Sequence, residues 1–194
     1  MKIILASKSG VRKKILDNHN IESEVIISNV DEDEIKTSLL EEGADPLLIS
    51  KNLAEIKSIK VSIKYPNILV LGADSVISLN NKLINKPKSR EEAFKILKRL
   101  NNCKHYLISS VCISKNGAMV WNHSDSSELK MKKFSDDQLL TYLNKIETKT
   151  LLAYGVYQVE ADGLSLFEYI KGDQNSIMGL PIKEIINYIK QYKK

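Results

Sequence analysis

Two serines and an arginine near the start of the chain have a spacing that suits phosphate binding. The segment Ser7-x-Ser9-x-x-Arg12 follows a short apolar run and precedes a helical pattern, so we expect it at a helix N-terminus. Free N–H groups and the helix dipole favour anions there, and the hydroxyls and guanidinium add donors for phosphate oxygens. An ordinary serine cap with a solvated basic first turn explains the same residues. Lys13 and Lys14 favour the phosphate site, because basic residues oppose the dipole unless an anion is near.

Acidic side chains occur at two places that suit a metal ion or a catalytic base. Asp74 directly follows the apolar run 68–73, which is typical of a strand buried on both faces. A carboxylate at such a strand end lies where open α/β sheets bind ligands, and it could hold Mg²⁺, accept a proton from water or simply cap the next turn. The acidic run 31–34 includes Glu32. It begins a helical pattern, where acids are usually dipole partners and metal binding is the alternative.

Several other polar residues are candidates with equally ordinary explanations. Lys57 lies among apolar helix positions, Lys86 follows a predicted hairpin, and Glu160 ends a predicted strand. Surface lysines and strand-end carboxylates commonly have no further role. The histidines show no metal-ligand spacing, and Cys103 and Cys112 have no Cys-x-x-Cys context. We therefore expect free thiols in a reducing compartment.

Helices and strands that alternate along the chain must position these side chains. Apolar periodicity predicts strands at 2–6, 21–27, 68–73, 82–84, 105–114, 118–131 and 154–159, and one ending at 170. Capping residues and 3.6-residue periodicity predict helices after Gly10, at 31–40, 47–63, 90–100 and 136–145, and from Pro181. Asn80-Asn81 and Asn116-Gly117 are predicted hairpin turns. The pattern predicts an α/β fold, a mixed sheet with long antiparallel hairpins flanked by helices.

Length and composition exclude several classes of protein. The 194 residues are 43% hydrophobic and 27% charged, which excludes disordered, collagen-like and low-complexity chains. A single domain over residues 1–194 is the expectation, with two lobes around a central cleft as an option. The apolar run 3–6 is far shorter than the roughly 20 residues of a membrane span, so we expect a cytoplasmic protein without a membrane partner. The net charge of +5 suggests an anionic partner.

The order of the motifs along the chain is more distinctive than any one of them. The segments are Leu5-Ala6-Ser7-Lys8-Ser9-Gly10-Val11-Arg12, Val30-Asp31-Glu32, Leu53-Ala54-Glu55-Ile56-Lys57, Gly72-Ala73-Asp74-Ser75-Val76, Lys86-Pro87, Gly172-Asp173 and Gly179-Leu180-Pro181. In this combination they resemble the Maf family of nucleotide pyrophosphatases over essentially the whole chain.

This resemblance implies a fold like that of the inosine-triphosphate pyrophosphatases and a hydrolase that acts on an acid anhydride. The reaction would convert a common or modified nucleoside triphosphate to the monophosphate and pyrophosphate, as cytoplasmic house-cleaning of the nucleotide pool. It would need a divalent cation, Mg²⁺ or Mn²⁺, and the protein would be a homodimer. The residues carried over as triphosphate ligands are Ser7, Ser9, Arg12, Lys57 and Lys86. Asp74 would be the catalytic proton acceptor, with Glu32 and Asp74 at the metal.

Departures from the family pattern bear on the substrate. Gly10-Val11 stands where many members have Pro-Arg or Pro-Trp, so one arginine expected at the phosphates is missing. Glu160, followed by Ala161, replaces the Gln-Gly of the branch that resembles dTTP/UTP pyrophosphatases. A glutamate there is more similar to the branch acting on 7-methyl-GTP, and its carboxylate can accept two N–H donors from a guanine edge. Glu160 is therefore a predicted substrate-binding residue, and a modified purine is slightly favoured.

A second class of function stays open at this point. A regulator linked to cell division, which binds nucleotides or nucleic acid without catalysis, would also suit a basic chain. However, no RNP, KH or helix-turn-helix signature accompanies the charge. We therefore expect a nucleoside triphosphate, rather than a stably bound nucleic acid, as the partner.

Overall fold

The fold is a mixed sheet flanked by helices, and the predicted fold class is confirmed. The structure is a computed structural model of the chain that describes residues 2–159 and 162–192. Within these residues the strands are β1 (Ile3–Leu5), β2 (Ser23–Val25), β3 (Val70–Leu79), β4 (Lys82–Ile84), β5 (Lys104–Lys115), β6 (Ala118–Met131) and β7 (Phe167–Lys171). Their order in the sheet is β2-β1-β3-β5-β6-β7, with β4 paired to β3 beside that path.

The helices begin mostly where the sequence supplies a capping side chain. They are α1 (Gly10–Asn18), α2 (Glu32–Glu41), α3 (Pro46–Ser62), α4 (Arg90–Leu100), α5 (Asp136–Asn144), α6 (Thr148–Tyr154), α7 (Gln174–Ile177) and α8 (Ile182–Tyr192), with a 3₁₀ turn at Asp162–Leu166. The capping side chains belong to Ser9, Asp31, Asp45, Ser89, Ser135 and Asp173. Across the described ranges, no helix has both the length and the apolar composition that a membrane crossing requires.

Parallel and antiparallel pairing coexist in the sheet, as expected for a mixed topology. Strand β1 is parallel to both β2 and β3, whereas β3 with β4 and β6 with β7 are antiparallel. Both central residues of the Asn80-Asn81 turn have positive φ, at 51° and 59°, and so do Asn116 and Gly117, at 53° and 78°. Two-residue turns of this kind match the twist of paired strands. The two predicted hairpin turns are therefore confirmed.

The described residues divide into two compact units. Unit 1 contains residues 2–76, 108–126 and 173–192, and unit 2 contains residues 77–107, 127–159 and 162–172. Strands β3, β5 and β6 contribute residues to both units. The expectation of one domain with a central cleft stays a prediction.

Small side chains allow α3 to pack closely in unit 1. Ser50, Ala54 and Ser58 recur every fourth residue on α3 and are completely buried. The hydroxyls of Ser50 and Ser58 lie 2.6 and 2.7 Å from those of Ser110 and Ser114 on β5. Serine hydroxyls can both donate and accept, so these buried groups satisfy one another. Apolar side chains from β1, α1, β3, β5 and α8 form the main core of this unit.

Unit 2 encloses a core that is almost entirely apolar. Side chains of α4, α5, α6, β6 and β7 contribute to it, including the completely buried Leu97, Leu100, Leu129 and Leu139. His105 is also fully buried, with Nε2 2.9 Å from the hydroxyl of Tyr157, and both rings pack against Phe167. Burial lowers the pKa of His105 from 6.5 to about 4, so the ring is neutral at physiological pH.

One predicted element is wrong and two short helices are unpredicted. Residues 154–158 form no strand, because α6 ends at Tyr154 and Gly155 adopts a φ of 98°. The side chains of Val156 and Tyr157 reach the core from irregular backbone. The apolar pattern of this segment therefore reflects burial and not pairing with another strand. Helices α6 and α7 lack a periodic signal because they have only seven and four residues.

Candidate functional site

The N-terminus of α1 has the arrangement that the Ser7-x-Ser9-x-x-Arg12 spacing predicts. Ser9 is the N-cap, and its hydroxyl accepts a hydrogen bond from the Arg12 backbone N–H at 3.3 Å. Ser7, two residues after β1, accepts one from the Ser9 N–H at 3.2 Å. No acid lies in the first turn. Lys13 forms an ion pair with Asp17 and Lys14 is exposed, so the two lysines have ordinary surface environments.

The guanidinium of Arg12 connects three separate segments of unit 1. Its Nε donates to the Gly179 carbonyl at 2.9 Å, and Nη1 donates to the Ala73 carbonyl at 2.9 Å and the Ser7 hydroxyl at 3.1 Å. Nη2 donates to the Ser75 hydroxyl at 3.0 Å. Arginine has five N–H donors, so these four bonds use most of its capacity. Arg12 thus binds the residues on both sides of Asp74 and positions them relative to α1.

Electrostatics around Arg12 show that opposite charges are concentrated here. Burial lowers the pKa of the Arg12 guanidinium, and the nearby carboxylates of Asp74 and Glu32 oppose that shift. Arginine remains charged under such conditions because its intrinsic pKa is so high. The guanidinium therefore contributes a fixed positive charge close to both acids.

Lys57 joins the two predicted metal-binding acids. Its Nζ lies 2.7 Å from Asp74 Oδ1 and 2.7 Å from Glu32 Oε1. Lys57 and Asp74 are only 6% and 5% exposed, whereas Glu32 is partly exposed at the start of α2. Lys36, one turn further along α2, lies 3.7 Å from the other oxygen of Glu32. The structure therefore brings together Glu32, Lys57 and Asp74 from three separate elements.

Gly72 explains how Lys57 reaches Asp74. A Cβ on Gly72 would collide with the backbone carbonyl of Ala54 and approach the Ser58 N–H to 2.8 Å. Only glycine allows β3 and α3 to approach this closely. Lys57 lies between these two contacts on α3, immediately before Ser58, and Asp74 lies two residues beyond Gly72 on the strand. The glycine is therefore part of the device that places the ammonium against the carboxylate.

The two oxygens of Asp74 have different surroundings. Oδ1 accepts the bond from Lys57, whereas Oδ2 is buried and receives no hydrogen bond from the described residues. Buried polar atoms are normally paired, so an unpaired carboxylate oxygen indicates a place for water, a proton or a cation. Within residues 2–159 and 162–192, no group of three or more His, Cys, Asp or Glu side chains forms a metal centre. Mg²⁺ needs fewer protein ligands, since it commonly binds one or two carboxylates together with water and substrate phosphates. Glu32 and Asp74 fit such an ion.

The structure does not test two of the predicted site residues. Lys86 is in unit 2, just after β4, where it is exposed and donates to the Ala153 carbonyl at 2.9 Å. Glu160 lies outside the described residues. Gln158, two positions before Glu160 in the sequence, lines a cavity of about 230 Å³ in unit 2, together with Tyr142 and Tyr157. The roles of Lys86 and Glu160 stay predictions.

The structure adds three residues that the sequence interpretation did not assign to the site. Ser75 accepts from Arg12, and its hydroxyl lies 2.9 Å from that of Ser109 on β5. Gly179, with φ at 96°, presents its carbonyl to Arg12. Ser75 and Gly179 belong to two of the quoted motifs, so a signal existed for them. Ser109 lies in a strand without any motif and could be found only in three dimensions.

The chain belongs to the Maf-like protein family, whose model matches residues 2–192. This places it in the family that the ordered motifs predict, over nearly its full length. A nucleoside triphosphate pyrophosphatase of Pelagibacter ubique is 56% identical over 191 residues, covering 98% of both chains.

Further relatives carry two different names. A nucleoside triphosphate pyrophosphatase of Ruegeria pomeroyi is 36% identical and covers 96% of this chain and 94% of its own. A 7-methyl-GTP pyrophosphatase of Rhizobium etli is 32% identical and covers 98% of this chain and 96% of its own. Among solved structures, a HAM1 protein from Coxiella burnetii is similar with a TM-score of 0.45 at 16% identity, over 68% of this chain and 73% of that one.

Proposed function

We propose that this chain is a nucleoside triphosphate pyrophosphatase that needs a divalent cation and releases a nucleoside monophosphate and pyrophosphate. Family membership and the names of relatives support the class of reaction. The observation that carries the proposal is Asp74: one oxygen is held by Lys57, the other is buried without a donor from the described residues, and Arg12 anchors both its sequence neighbours.

The phosphates would bind at the N-terminus of α1. The unpaired N–H groups of the first turn and the hydroxyls of Ser7 and Ser9 are donors suited to phosphate oxygens. Arg12 holds this loop and keeps one Nη2 hydrogen beyond its four bonds to the protein. Lys57 adds a further positive charge. Neutralising a polyanion in this way is the first requirement for attack by water on phosphorus.

Asp74 would act as the general base. Its Oδ2 takes one proton from a water molecule while the water oxygen forms a bond to the α-phosphorus. The bond between the α-phosphorus and the bridging oxygen breaks, and pyrophosphate leaves with that electron pair. In this structure Oδ1 is paired with Lys57, whereas Oδ2 has no donor among the described residues and is therefore the oxygen that can take the proton.

A divalent cation, Mg²⁺ or Mn²⁺, would be held by Glu32 and Asp74. When bound, it would supply charge neutralisation at the phosphates and polarise the phosphoryl group. One cation, the Lys57 ammonium, already contacts both Asp74 Oδ1 and Glu32 Oε1, and this contact and the oxygen chemistry of both acids support this assignment.

The identity of the base is the finer part of the proposal. Relatives named for 7-methyl-GTP and relatives named for nucleoside triphosphates in general both align along nearly the whole chain. Glu160 would recognise the base through its carboxylate, and on that residue a modified purine is slightly favoured. House-cleaning of the nucleotide pool, a cytoplasmic location and a homodimer complete the proposal.

The test is a pyrophosphate-release screen. Purified protein with Mg²⁺ or Mn²⁺ is incubated with common and modified nucleoside triphosphates, including 7-methyl-GTP, and release should stop when EDTA is added. Inactivity across the whole panel would refute the enzyme. A shift of single-stranded or duplex nucleic acid by that inactive protein at physiological salt would instead support the non-catalytic regulator.

A further inference from the structure

The ammonium of Lys57 lies at the point where the two candidate metal ligands meet. Each of its contacts, to Asp74 Oδ1 and to Glu32 Oε1, is 2.7 Å long. Two carboxylate oxygens that share one small cation are close to each other and repel without it. Lys57 therefore satisfies both acids in a position that a divalent cation would also prefer.

The charges of Arg12, Lys57, Asp74 and Glu32 balance without any added ion, and Lys36 beside Glu32 adds one further positive charge. Arg12 and Lys57 contribute two positive charges, and Asp74 and Glu32 contribute two negative ones. A divalent cation added to this partly buried group would leave an excess of two positive charges, which is costly where water is scarce. A bound triphosphate supplies negative charge that removes this excess. The group is thus built to accept metal and polyanion together.

We propose that Lys57 is an internal counter-ion. It occupies the position between Glu32 and Asp74, excludes solvent cations from these metal ligands, and leaves them when a triphosphate binds. When nucleotide and cation bind, the Lys57 ammonium leaves Glu32 and Asp74 and moves to a phosphate oxygen. This inference rests on the proposed function and specifies how the site couples its two ligands. Binding of each ligand is then favoured by the other, as linkage requires.

Lysine suits this exchange better than arginine does. Its charge is compact, and its flexible four-carbon stem can rotate the ammonium from one partner to another. Arg12, in contrast, is fixed by four hydrogen bonds to the protein. Lys36 offers a natural comparison, because it lies 3.7 Å from Glu32 Oε2 and is one turn away on the same helix as Glu32.

The test measures Mn²⁺ binding without nucleotide, by counting free Mn²⁺ with electron paramagnetic resonance. Lys57→Met should bind Mn²⁺ about tenfold more tightly than the wild type, because the competing ammonium is gone. Lys36→Met also removes one positive charge near Glu32 and should improve binding by less than about threefold. Equal gains in both variants, or no gain in Lys57→Met, would overturn the exchange.

Coupling provides the second readout. Inorganic pyrophosphate, with free Mn²⁺ corrected for their complex, should tighten Mn²⁺ binding to the wild type about tenfold or more. In Lys57→Met this enhancement should largely disappear, while Lys36→Met keeps it. An enhancement of wild-type size in Lys57→Met would contradict the proposal.

A measurement on the wild type covers the case in which Lys57→Met does not fold. The ¹⁵N resonance of the Lys57 ammonium, assigned by its loss in Lys57→Arg, should move when Mg²⁺ and pyrophosphate are added together. An unchanged resonance at saturation refutes the exchange. Pyrophosphate release from nucleotides is a separate measurement, so an active enzyme with unaltered Mn²⁺ binding would discard only this inference.

Discussion

The two units bury different kinds of polar group. Unit 1 contains Lys57 and Asp74, the two charged residues that are buried among the described residues, together with Arg12 and a series of paired serines. Unit 2 buries neutral groups, of which His105 and Tyr157 bond to each other. Buried ion pairs seldom add stability, because desolvation offsets their attraction. The difference agrees with the proposal that the buried charges of unit 1 serve catalysis, and the interior of unit 2 holds neutral groups that pack.

The largest expected effect is on catalysis in unit 1. Asp74→Asn removes the proposed proton acceptor and should lower kcat/KM for pyrophosphate release by about 10³-fold, within the usual range for a lost general base. Asp136→Asn in unit 2 is the control, because that carboxylate is exposed and pairs with Lys98 on the surface. Comparable losses in both variants would contradict the assignment of chemistry to unit 1.

Close packing at Gly72 should matter next. Gly72→Ala places a methyl group against the Ala54 carbonyl and the Ser58 N–H, so α3 must move. We expect the free energy of unfolding to fall by about 2–3 kcal/mol, and activity should fall with it because Lys57 moves with the helix. Gly10→Ala has open space around the new Cβ and should not destabilise the protein. Urea unfolding of both variants checks this, and a harmless Gly72→Ala would show that the close approach is unnecessary.

Acid should affect the stability of unit 2 through His105. Its folded-state pKa of about 4 lies below the unfolded value of 6.5, so the unfolded chain binds the proton more readily between these limits. The stability present above pH 6.5 is lost as the pH falls towards 4, by about 3 kcal/mol in total. Denaturant unfolding at several pH values measures the slope.

The control for this acid effect is a variant that replaces both members of the His105–Tyr157 hydrogen bond by apolar residues. The double variant His105→Leu/Tyr157→Phe removes the titrating ring without leaving the phenol unpaired, so its stability should depend less steeply on pH over this range. An unchanged slope would assign the acid sensitivity to other groups.

Helix caps give the smallest effect and the sharpest contrast between the units. Ser9 caps α1 in unit 1, and Ser135 caps α5 in unit 2 through a complete capping box with Gln138. Replacing either serine by alanine should cost about 1 kcal/mol of stability. Only Ser9→Ala should also weaken nucleotide binding, seen as a raised KM, since only α1 is proposed to bind phosphate. A raised KM in Ser135→Ala as well would contradict the assignment of phosphate binding to α1 alone.

Much of the fold is predictable from local signals. Strand β6 and the turns at Asn80-Asn81 and Asn116-Gly117 follow from patterns within a few residues of each other. The expected strand at 154–159 fails because its apolar residues satisfy the core from irregular backbone after Gly155, which periodicity cannot distinguish from a ladder.

The sequence alone determined the family, the reaction class and the candidate residues, because the order of the motifs can be read without knowing any distance between them. Only the tertiary structure decided how those residues meet. Arg12 donates most of its hydrogen bonds to other groups of the protein. Lys57 bridges Glu32 and Asp74, which lie 42 positions apart in the chain. Such partnerships depend on the packing of α3 against β3 at Gly72, and sequence spacing carries no information about them. Charge, hydrogen bonding and burial act through space, so the site's electrostatics emerge only when the chain is folded.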